Sequence, residues 1–270
     1  MNMKKNNLSY FLLLIALISF GKIYSDFSNK SAENKNNIQN TTTTEINQIN
    51  NIQSQTTTLV TIPTTNSKTS NIVPKNYLNK NVPFAIQAPN ANWDFVHQEA
   101  CEETAILIAQ QYFYGNKKDL DSDQNEQNIQ EIISWERSNF GYFEDTNLEN
   151  NQEILMKMFN LKSEIIENPQ IVDIQKALTT NSLILVPTAG RMLNNPNFTG
   201  AGPIFHMVVV IGWDDSNFIV HDVGTKKGKE YKYPFEILLG ANHDLYKDAK
   251  YPLDAELIKS GSKKVLLVSK

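Results

Sequence analysis

The chain of 270 residues carries 25 Lys and Arg against 29 Asp and Glu, which gives a formal net charge of −4, and it contains one cysteine. This mild acidity excludes a general nucleic-acid binder, which needs a basic surface against phosphates. A single cysteine excludes an intramolecular disulfide framework and any zinc site built from several thiolates. With 40% hydrophobic and 20% charged residues, the composition is that of an ordinary globular protein.

An export signal is predicted at the N terminus, over residues 1–25. Lys4 and Lys5 precede an apolar run of about 14 residues, from Leu8 to Gly21, and this run has the length and flanks of a secretory signal. It is shorter than the roughly 20 residues that span a bilayer. The possible cleavage sites fit the usual small-x-small pattern only loosely, so a cleaved signal peptide and a retained N-terminal membrane anchor both stay open. We therefore expect an exported protein that is secreted, periplasmic or tethered to the outer face of the cell membrane.

Residues 26–80 have the composition of a disordered linker. Asn, Thr, Ser, Gln and Lys dominate this stretch, which includes the runs Thr41–Thr44 and Thr56–Thr58. A segment so poor in apolar side chains cannot bury enough surface to offset the entropy lost on ordering. We interpret it as a spacer that holds a folded domain away from the membrane or export site, and we expect that domain to comprise residues 81–270.

The order of elements in residues 81–270 predicts an α+β fold. An extended segment, Val82–Gln87, comes first, helices follow, and most of the strands come last. A short turn at residues 214–217 joins two strands directly, which makes them antiparallel. Helices followed by an antiparallel sheet indicate α+β and not a doubly wound parallel sheet. The predicted helices are Cys101–Tyr114, Asn125–Asn139, Leu148–Phe159 and Ile171–Leu178, and the predicted strands are Ser182–Val186, Met207–Trp213, Phe218–Val220 and Lys264–Val268.

The single thiol, Cys101, stands at the start of the first predicted helix. A helix N terminus brings partial positive charge and N–H groups close to the sulfur, which favours the thiolate over the thiol. An unpaired cysteine in an exported chain is open to oxidation, so its presence calls for a function. The alternative is a small buried hydrophobic residue, the common fate of a free cysteine.

His206 and Asp222 are the best-placed partners for this thiol. His206 opens the most apolar predicted strand and follows the glycine-rich loop Gly200–Pro203. The hairpin about residues 214–217 sets Asp222 within a residue or two of Met207–Val209, so its carboxylate can reach the imidazole, fix its tautomer and stabilise the imidazolium. A thiolate–imidazolium nucleophile requires this arrangement. In the alternative interpretation, His206 caps a strand and Asp222 begins a turn.

Three other histidines are weaker candidates for the base. His97 lies four residues before Cys101 and can reach the sulfur, but no orienting carboxylate is evident for it. His221 alternates with Asp222 and therefore faces the opposite side of its strand, where we expect a surface or supporting position. His243 is expected in a solvated loop.

Two blocks of the sequence carry a family resemblance. The first, VPFAIQAPNANWDFVHQEACEETAILIA, surrounds Cys101, and the second runs from Pro187 through GRMLNNPNFTGAGPIFHMVVVIGWD to HDVGTKKGKEYKY. Together they resemble the bacteriocin-processing-type cysteine peptidases in their stand-alone, C-39-like branch, within the papain-like superfamily. The resemblance covers most of residues 82–245. It implies a papain-like fold, with the nucleophile at Cys101, the general base at His206 and the orienting acid at Asp222.

The chain departs from this family pattern at three points, the mildest of which is Val223 after Asp222, where many relatives have Pro. Gly usually follows the nucleophile, whereas this chain has Glu102 and Glu103, and an acid beside the sulfur opposes thiolate formation. Papain-like enzymes also place an oxyanion-hole Gln about six residues before the Cys, where this chain has Phe95. We expect Gln98 to take this role, with Gln87 as the alternative and the backbone N–H of the nucleophile as the second donor.

Two further segments have more than one interpretation. Asp119–Asp123 begins like a calcium-binding loop, but Gln124 and Gln130 stand where Gly and Glu are required. Acids gathered at a helix N terminus are the better account, and we expect no metal and no cofactor. The loop Arg191–Thr199 leads to His206 and is either a lid that contacts the substrate or a loop that caps the sheet.

The sequence therefore favours an exported cysteine-type peptidase that cleaves a peptide or amide bond through a thiolate–imidazolium pair. Two alternatives stay open: a catalytically silent papain-like module that binds peptides or cell-wall components, and a thiol enzyme that transfers the acyl group to an amine. The expected partner is a peptide or protein substrate. We expect a monomer that binds no nucleic acid and meets the membrane only through its N terminus.

Overall fold

The computed structural model describes residues 73–270. The predicted export signal and residues 26–72 of the predicted linker lie outside the described residues. Within residues 73–270, no helix is both long enough and apolar enough to cross a membrane.

An antiparallel sheet of seven strands organises this part of the chain. Its strands are β1 (Tyr77–Leu78), β2 (Lys162–Glu167), β3 (Leu183–Ala189), β4 (Phe205–Trp213), β5 (Asn217–Asp222), β6 (Tyr231–Pro234) and β7 (Lys264–Ser269). Six of them lie in the order β2-β7-β3-β4-β5-β6, and β1 pairs with the end of β4. Every pairing between these strands is antiparallel, as the hairpin between β4 and β5 predicts.

Helices and short 3-10 turns accompany the sheet. The helices within residues 73–270 are α1 (Phe95–Gln98), α2 (Cys101–Phe113), α3 (Ser122–Asn139), α4 (Leu148–Phe159), α5 (Ile171–Leu178) and α6 (Phe235–Ala241), and the 3-10 turns are Gly190–Leu193 and Leu257–Ser260. The predicted start of α3 at Asn125 is late, because the side chain of Asp121 accepts a hydrogen bond from the N–H of Gln124 and caps the helix ahead of Ser122.

The side chains of β4 alternate between two apolar cores. Met207, Val209 and Ile211 pack with α2, α3 and α4 on one face of the sheet, and Val208 and Val210 pack with α5 and α6 on the other. All residues of β4 are buried, which explains why this strand is a continuous apolar run in the sequence. The predicted α+β class is confirmed, and α2, the helix that begins with the cysteine, packs on the antiparallel sheet.

The folded part of the chain begins before residue 81. Tyr77 belongs to β1, and its ring stacks on Trp213 with the ring centroids 5.2 Å apart. The indole N–H of Trp213 donates a hydrogen bond to the carbonyl of Pro74 at 3.2 Å. Residues 73–80, which the polar composition assigns to the linker, therefore belong to the fold, because pairing with β4 supplies the partners that their own sequence lacks.

Candidate active site

A buried histidine–aspartate pair lies where β4 begins and β5 ends. Asp222, the last residue of β5, pairs in register with Val208 on β4, so its side chain reaches back to His206. The Nε2 atom of His206 is 2.8 Å from Oδ1 of Asp222, and the two residues are 1% and 0% exposed. The structure thus brings together the two side chains that the hairpin pattern predicts as partners.

Asp222 is held by three further hydrogen-bond donors. Its Oδ2 accepts from the hydroxyl of Tyr233 at 2.6 Å and from the side-chain amide of Asn195 at 2.9 Å. Its Oδ1 also accepts from the backbone N–H of Gly224 at 3.0 Å. Burial alone would raise the pKa of Asp222, but His206 and these donors hold that pKa below its usual value. The aspartate is therefore ionised at neutral pH.

The imidazole of His206 is closely packed by neighbouring residues. The ring of Phe198 meets it edge-on, with the centroids 5.3 Å apart, and the hydroxyl of Thr188 donates to the backbone carbonyl of His206 at 2.8 Å. A Cβ atom added at Gly224 would lie 2.8 Å from Cε1 of the imidazole. The loop Arg191–Thr199 therefore contributes the ring of Phe198, which packs against His206, and the side-chain amide of Asn195, which donates to Asp222.

Cys101 is the first residue of α2 and is 4% exposed. Its Sγ donates a hydrogen bond to Oε2 of Glu102 at 2.8 Å, and within residues 73–270 no hydrogen bond joins the sulfur to a histidine. Burial, then the nearby Glu102 and Asp145 carboxylates, raise the pKa of the Cys101 thiol well above its usual value. The expectation that the helix N terminus lowers this pKa is wrong, because burial and neighbouring acids outweigh the partial charge of the helix end.

Four acids cluster around the start of α2: Glu102, Glu103 and Glu136 are buried, and Asp145 is partly buried. Burial, followed by the neighbouring acids, raises the pKa of Glu102 and Glu103 well above the usual value. Burial is also the main reason that the pKa values of Glu136 and Asp145 rise to about 8. Within residues 73–270, no hydrogen-bond donor reaches the side-chain oxygens of Glu103 and Glu136. The sequence points to Glu102 and Glu103, but Glu136 and Asp145 come from α3 and the segment before α4, and only the fold brings them here.

Cys101 and the histidine–aspartate pair lie at the same edge of the sheet. Because β4 and β5 are antiparallel, the start of β4, with His206, and the end of β5, with Asp222, share one edge. α2 packs along β4, and near the far end of this helix the hydroxyl of Tyr112 donates to Asn181 at 2.9 Å. Asn181 comes just before β3, whose start lies beside the end of β4. The beginning of α2 is therefore at the opposite edge, the edge of the pair.

Gln87 connects the two parts of this edge. Its backbone N–H donates to the carbonyl of Val223 at 3.0 Å, next to the aspartate. Its side-chain amide donates to the carbonyls of His97 at 2.9 Å and Gln98 at 3.2 Å, shortly before the cysteine. Gln87 is buried, so it joins the strand end to the start of α2.

The predicted oxyanion donor, Gln98, has an exposed side chain whose amide donates to the carbonyl of Trp93 at 2.9 Å. Of the two glutamines considered from the sequence, Gln87 is the buried one, although its amide is also engaged. The N–H groups in the first turn of α2 have no acceptor within the helix, and that of Cys101 is among them. The role of Gln98 stays a prediction.

The other histidines take structural positions. His97 is buried and lies 2.7 Å from both Asp94 and Glu126, one carboxylate at each ring nitrogen. The expectation that it lacks a carboxylate is wrong, because Glu126 arrives from α3. His221 is buried on the other face of β5, with Nε2 3.1 Å from the carbonyl of Val82.

His243 is buried and not solvated, with its Nδ1 2.9 Å from the carbonyl of Gly261. In the segment that resembles a calcium loop, Asp119 accepts hydrogen bonds from the N–H of Phe84 at 3.1 Å and from Lys229 at 2.6 Å. Within residues 73–270, no group of His, Cys, Asp and Glu side chains is arranged to hold a metal ion.

No family model matches the chain, and no curated protein matches it. Among solved structures, it is similar to the crystal structure of a candidate C39-like peptidase from Bacillus anthracis, with a TM-score of 0.47 and 16% sequence identity, over 73% of this chain and 98% of that chain. The fold and the site define an α+β protein in which a helix headed by a cysteine packs on an antiparallel sheet whose edge holds a buried histidine–aspartate pair.

Proposed function

We propose that this protein is an exported cysteine hydrolase of the papain-like type that cleaves a peptide or amide bond as a monomer. Cys101 is the nucleophile, His206 the general base and Asp222 the orienting acid. The observation that carries the proposal is the buried 2.8 Å contact between His206 and Asp222 at the sheet edge where the cysteine helix begins. Burying an ionised carboxylate costs folding free energy, and buried ionisable groups held by specific partners are concentrated at functional sites.

The tautomer of His206 suits this role. Because Asp222 is ionised, it accepts the hydrogen bond, and the Nε2 atom of His206 carries the proton. The other ring nitrogen, Nδ1, is then the basic atom that takes a proton from a thiol. An imidazolium formed at that step is stabilised by the carboxylate, which stays ionised throughout.

The reaction proceeds in two halves. Cys101 sulfur attacks the substrate carbonyl carbon while Nδ1 of His206 takes the thiol proton, and the tetrahedral intermediate collapses to a thioester as the imidazolium protonates the departing amine. A water then attacks the thioester carbonyl and gives a proton to His206. Collapse of this second intermediate breaks the carbon–sulfur bond, and the sulfur recovers its proton from the imidazolium as the carboxylic acid product leaves.

The hydrogen bond from Cys101 to Glu102 favours a second candidate function. In the structure the thiol proton is directed to a carboxylate and not to His206, so the sulfur must change partner before it attacks a carbonyl. A catalytically silent module that binds peptides or cell-wall components would keep the thiol in this resting contact. The two functions differ in whether loss of the sulfur changes turnover.

The test is turnover of a panel of internally quenched peptides by the full chain and five variants. Cys101→Ala and His206→Ala should each abolish turnover, and the double variant should lose little more, because the two groups act as a unit. Asp222→Asn should cost several tens-fold, and the matched control Asp215→Asn, whose side chain is 64% exposed in a turn, should cost nothing. Equal turnover by the wild type and Cys101→Ala would overturn the proposal. If both are inert on every peptide while both bind one of them, the binding module replaces it.

Export is a part of this proposal that rests on residues 1–25. The positive start and the apolar run of that segment fit a secretory signal. Fractionation of producing cells should find the full chain outside the cytoplasm and a chain that lacks residues 1–25 inside it. The same distribution for both chains would contradict export by this segment.

A further inference from the structure

A cavity of about 830 Å³ lies between the segment that leads into α4 and the loop that follows α6. Asp145 and Asn147 line it, and between them the backbone N–H of Thr146 donates to Oε1 of Glu102 at 2.8 Å. The other carboxylate oxygen of Glu102 accepts the hydrogen bond of Cys101. The wall of the cavity is therefore connected to the sulfur through a short chain of hydrogen bonds.

The part of the cavity near the thiol is acidic. Glu144 and Asp145 line it, and Glu99 lies near both, since burial and then the charges of Glu99 and Glu144 raise the pKa of Asp145 to about 8. Burial and then Glu144 raise the pKa of Glu99 to about 7. Within residues 73–270, none of these three acids forms an ion pair with a basic side chain.

Three lysines also line the cavity. Lys264 forms an ion pair with Glu149 at 2.8 Å. Lys247 and Lys250 line the loop side, and both are exposed. In the described part of the chain the acids near the thiol thus have no ion-pair partner, and burial together with their mutual repulsion makes negative charge unfavourable there.

Exposed aromatic rings stand beside these acids. Tyr251 lines the cavity, and its ring meets Phe95 edge-on with the centroids 5.4 Å apart. Phe95 in turn meets Phe143 at 5.9 Å. Tyr251 and Phe95 are 47% and 45% exposed, which is unusual for large rings that touch each other. Aromatic faces next to carboxylates attract cations and cover the apolar stem of a long basic side chain.

We propose that this cavity binds a positively charged group of the substrate, a lysine or arginine side chain or a free amino terminus, next to the bond that Cys101 attacks. The position relative to the attacked bond rests on the proposed function, whereas the binding of the cation does not. A cation placed between Asp145 and Glu99 also lessens the negative potential around the sulfur, so it favours the thiolate at the moment when substrate is present.

Binding of such a cation should strengthen as the pH rises from 6.5 to 8.5. Asp145 and Glu99 lose their protons over this range, and an ionised carboxylate attracts the cation more strongly. The groups that interact with Asp145 are the acids Glu99, Glu144, Glu102 and Glu103, the thiol of Cys101, and Tyr251 at the rim. Over most of this range a lysine side chain keeps its charge.

The experiment uses the full chain with Cys101→Ala, so that hydrolysis does not interfere, and measures peptide binding by calorimetry at low ionic strength. The probes are a capped peptide with three lysines, its Nε-acetylated counterpart, and an uncapped neutral peptide with a free amino terminus. We expect the lysine peptide to bind at least tenfold more tightly than the acetylated one, and at least threefold more tightly at pH 8.5 than at pH 6.5. Tighter binding of the uncapped peptide instead identifies the amino terminus as the cation.

Variants of the acids locate the binding in the cavity. Asp145→Asn should weaken binding at least fivefold, and it should fold normally, because asparagine tolerates the positive φ of 49° at this position as well as aspartate does. Glu144→Gln should also weaken binding of the lysine peptide, and it replaces Asp145→Asn as the test if that variant does not fold. The control is Glu164→Gln, an exposed acid on the edge strand β2, which should leave the affinity unchanged.

Equal binding of the charged and acetylated peptides, or wild-type affinity in both Asp145→Asn and Glu144→Gln, would overturn the proposed cation site. Its failure is distinguishable from failure of the proposed function. Hydrolysis without any preference for charged peptides would uphold the hydrolase and overturn the cation site. Binding of the lysine peptide with no Cys101-dependent hydrolysis of any peptide would uphold the cation site and overturn the hydrolase.

Discussion

Replacing Gly224 with alanine would insert a methyl group against the imidazole of His206. The added Cβ would lie 2.8 Å from Cε1 and 3.2 Å from Nε2 of that ring, and 3.1 Å from the ring of Phe198. The first of these distances is about 0.6 Å short of ordinary contact, which begins at 3.4 Å. The φ angle of Gly224 is not in the left-handed region, so alanine adds steric pressure without backbone strain. The backbone N–H of residue 224 can still donate its hydrogen bond to Oδ1 of Asp222.

The pressure should be relieved mainly by movement of the imidazole, since the backbone of His206 is held in β4 and the N–H of Gly224 is held by Asp222. Crowding of this kind costs about 1–3 kcal/mol of stability, and a displacement of about 1 Å at a reacting group can cost about 100-fold in rate. Gly224→Ala should therefore lower turnover of a cleavable peptide by about 10- to 100-fold and weaken the hydrogen bond from His206 to Asp222, which proton NMR observes as loss of a downfield imidazole resonance.

Gly240→Ala is the matched control for this substitution. A Cβ at Gly240, in α6, would meet no atom within 4 Å, so alanine there should leave turnover unchanged and stabilise the helix by up to about 1 kcal/mol. If Gly224→Ala keeps both the downfield resonance and full turnover, the close fit around His206 has no part in positioning the base, and the reasoning from this contact fails.

Two other substitutions test the buried polar groups. Tyr233→Phe removes a donor 2.6 Å from Asp222, which should cost about 1.5–3 kcal/mol of stability by urea unfolding and raise the pKa of the aspartate, with a smaller loss of turnover than Asp222→Asn. Burial raises the pKa of Glu136 from 4.5 to about 8. Between pH 4.5 and pH 8, Glu136 therefore keeps its proton in the folded protein but loses it in the unfolded chain. The free energy of unfolding should then fall as the pH rises from 5 to 8, by about 1.4 kcal/mol per pH unit for this group, and Glu136→Gln should flatten that slope; an unchanged slope would contradict the buried neutral acid.

Elements with a local signal were predicted best. α4 and α5 have the predicted bounds, because each combines an apolar face with capping residues at its start. β2, Lys162–Glu167, was missed because it is an edge strand with charged residues at its exposed positions, and its conformation depends on pairing with β7. β6, Tyr231–Pro234, is short, half exposed and ends in proline, so its sequence resembles a loop. In both cases the partner strand decides the structure.

The same distinction between local and distant signals holds for the candidate site. A hairpin register can be read from the sequence, so the contact between His206 and Asp222 was predictable. The donors Tyr233 and Asn195 were not, since one lies in the missed strand and the other in a loop with no regular pattern. The pKa of Cys101 was predicted in the wrong direction, because its main cause, the burial of the thiol, depends on the whole fold, and because Asp145 adds to the local acids Glu102 and Glu103 from another element.

The two halves of the site have opposite electrostatic environments, and Glu102 determines how they can work together. Donors surround Asp222 and keep it ionised, whereas burial and the acids around Cys101 oppose a thiolate. Burial and Glu103 raise the pKa of Glu102 well above its usual value, so its neutral form is accessible near neutral pH. An ionised Glu102 accepts from the thiol and keeps the sulfur protonated, but a neutral Glu102 can donate to a thiolate and stabilise it. A neutral donor at this position should therefore suffice: Glu102→Gln should alkylate with iodoacetamide faster than the wild type and retain turnover, whereas Glu102→Ala, which removes the donor and the bond to Thr146, should lose turnover. Slower alkylation of Glu102→Gln would show that the carboxylate activates the thiol and would reverse this account.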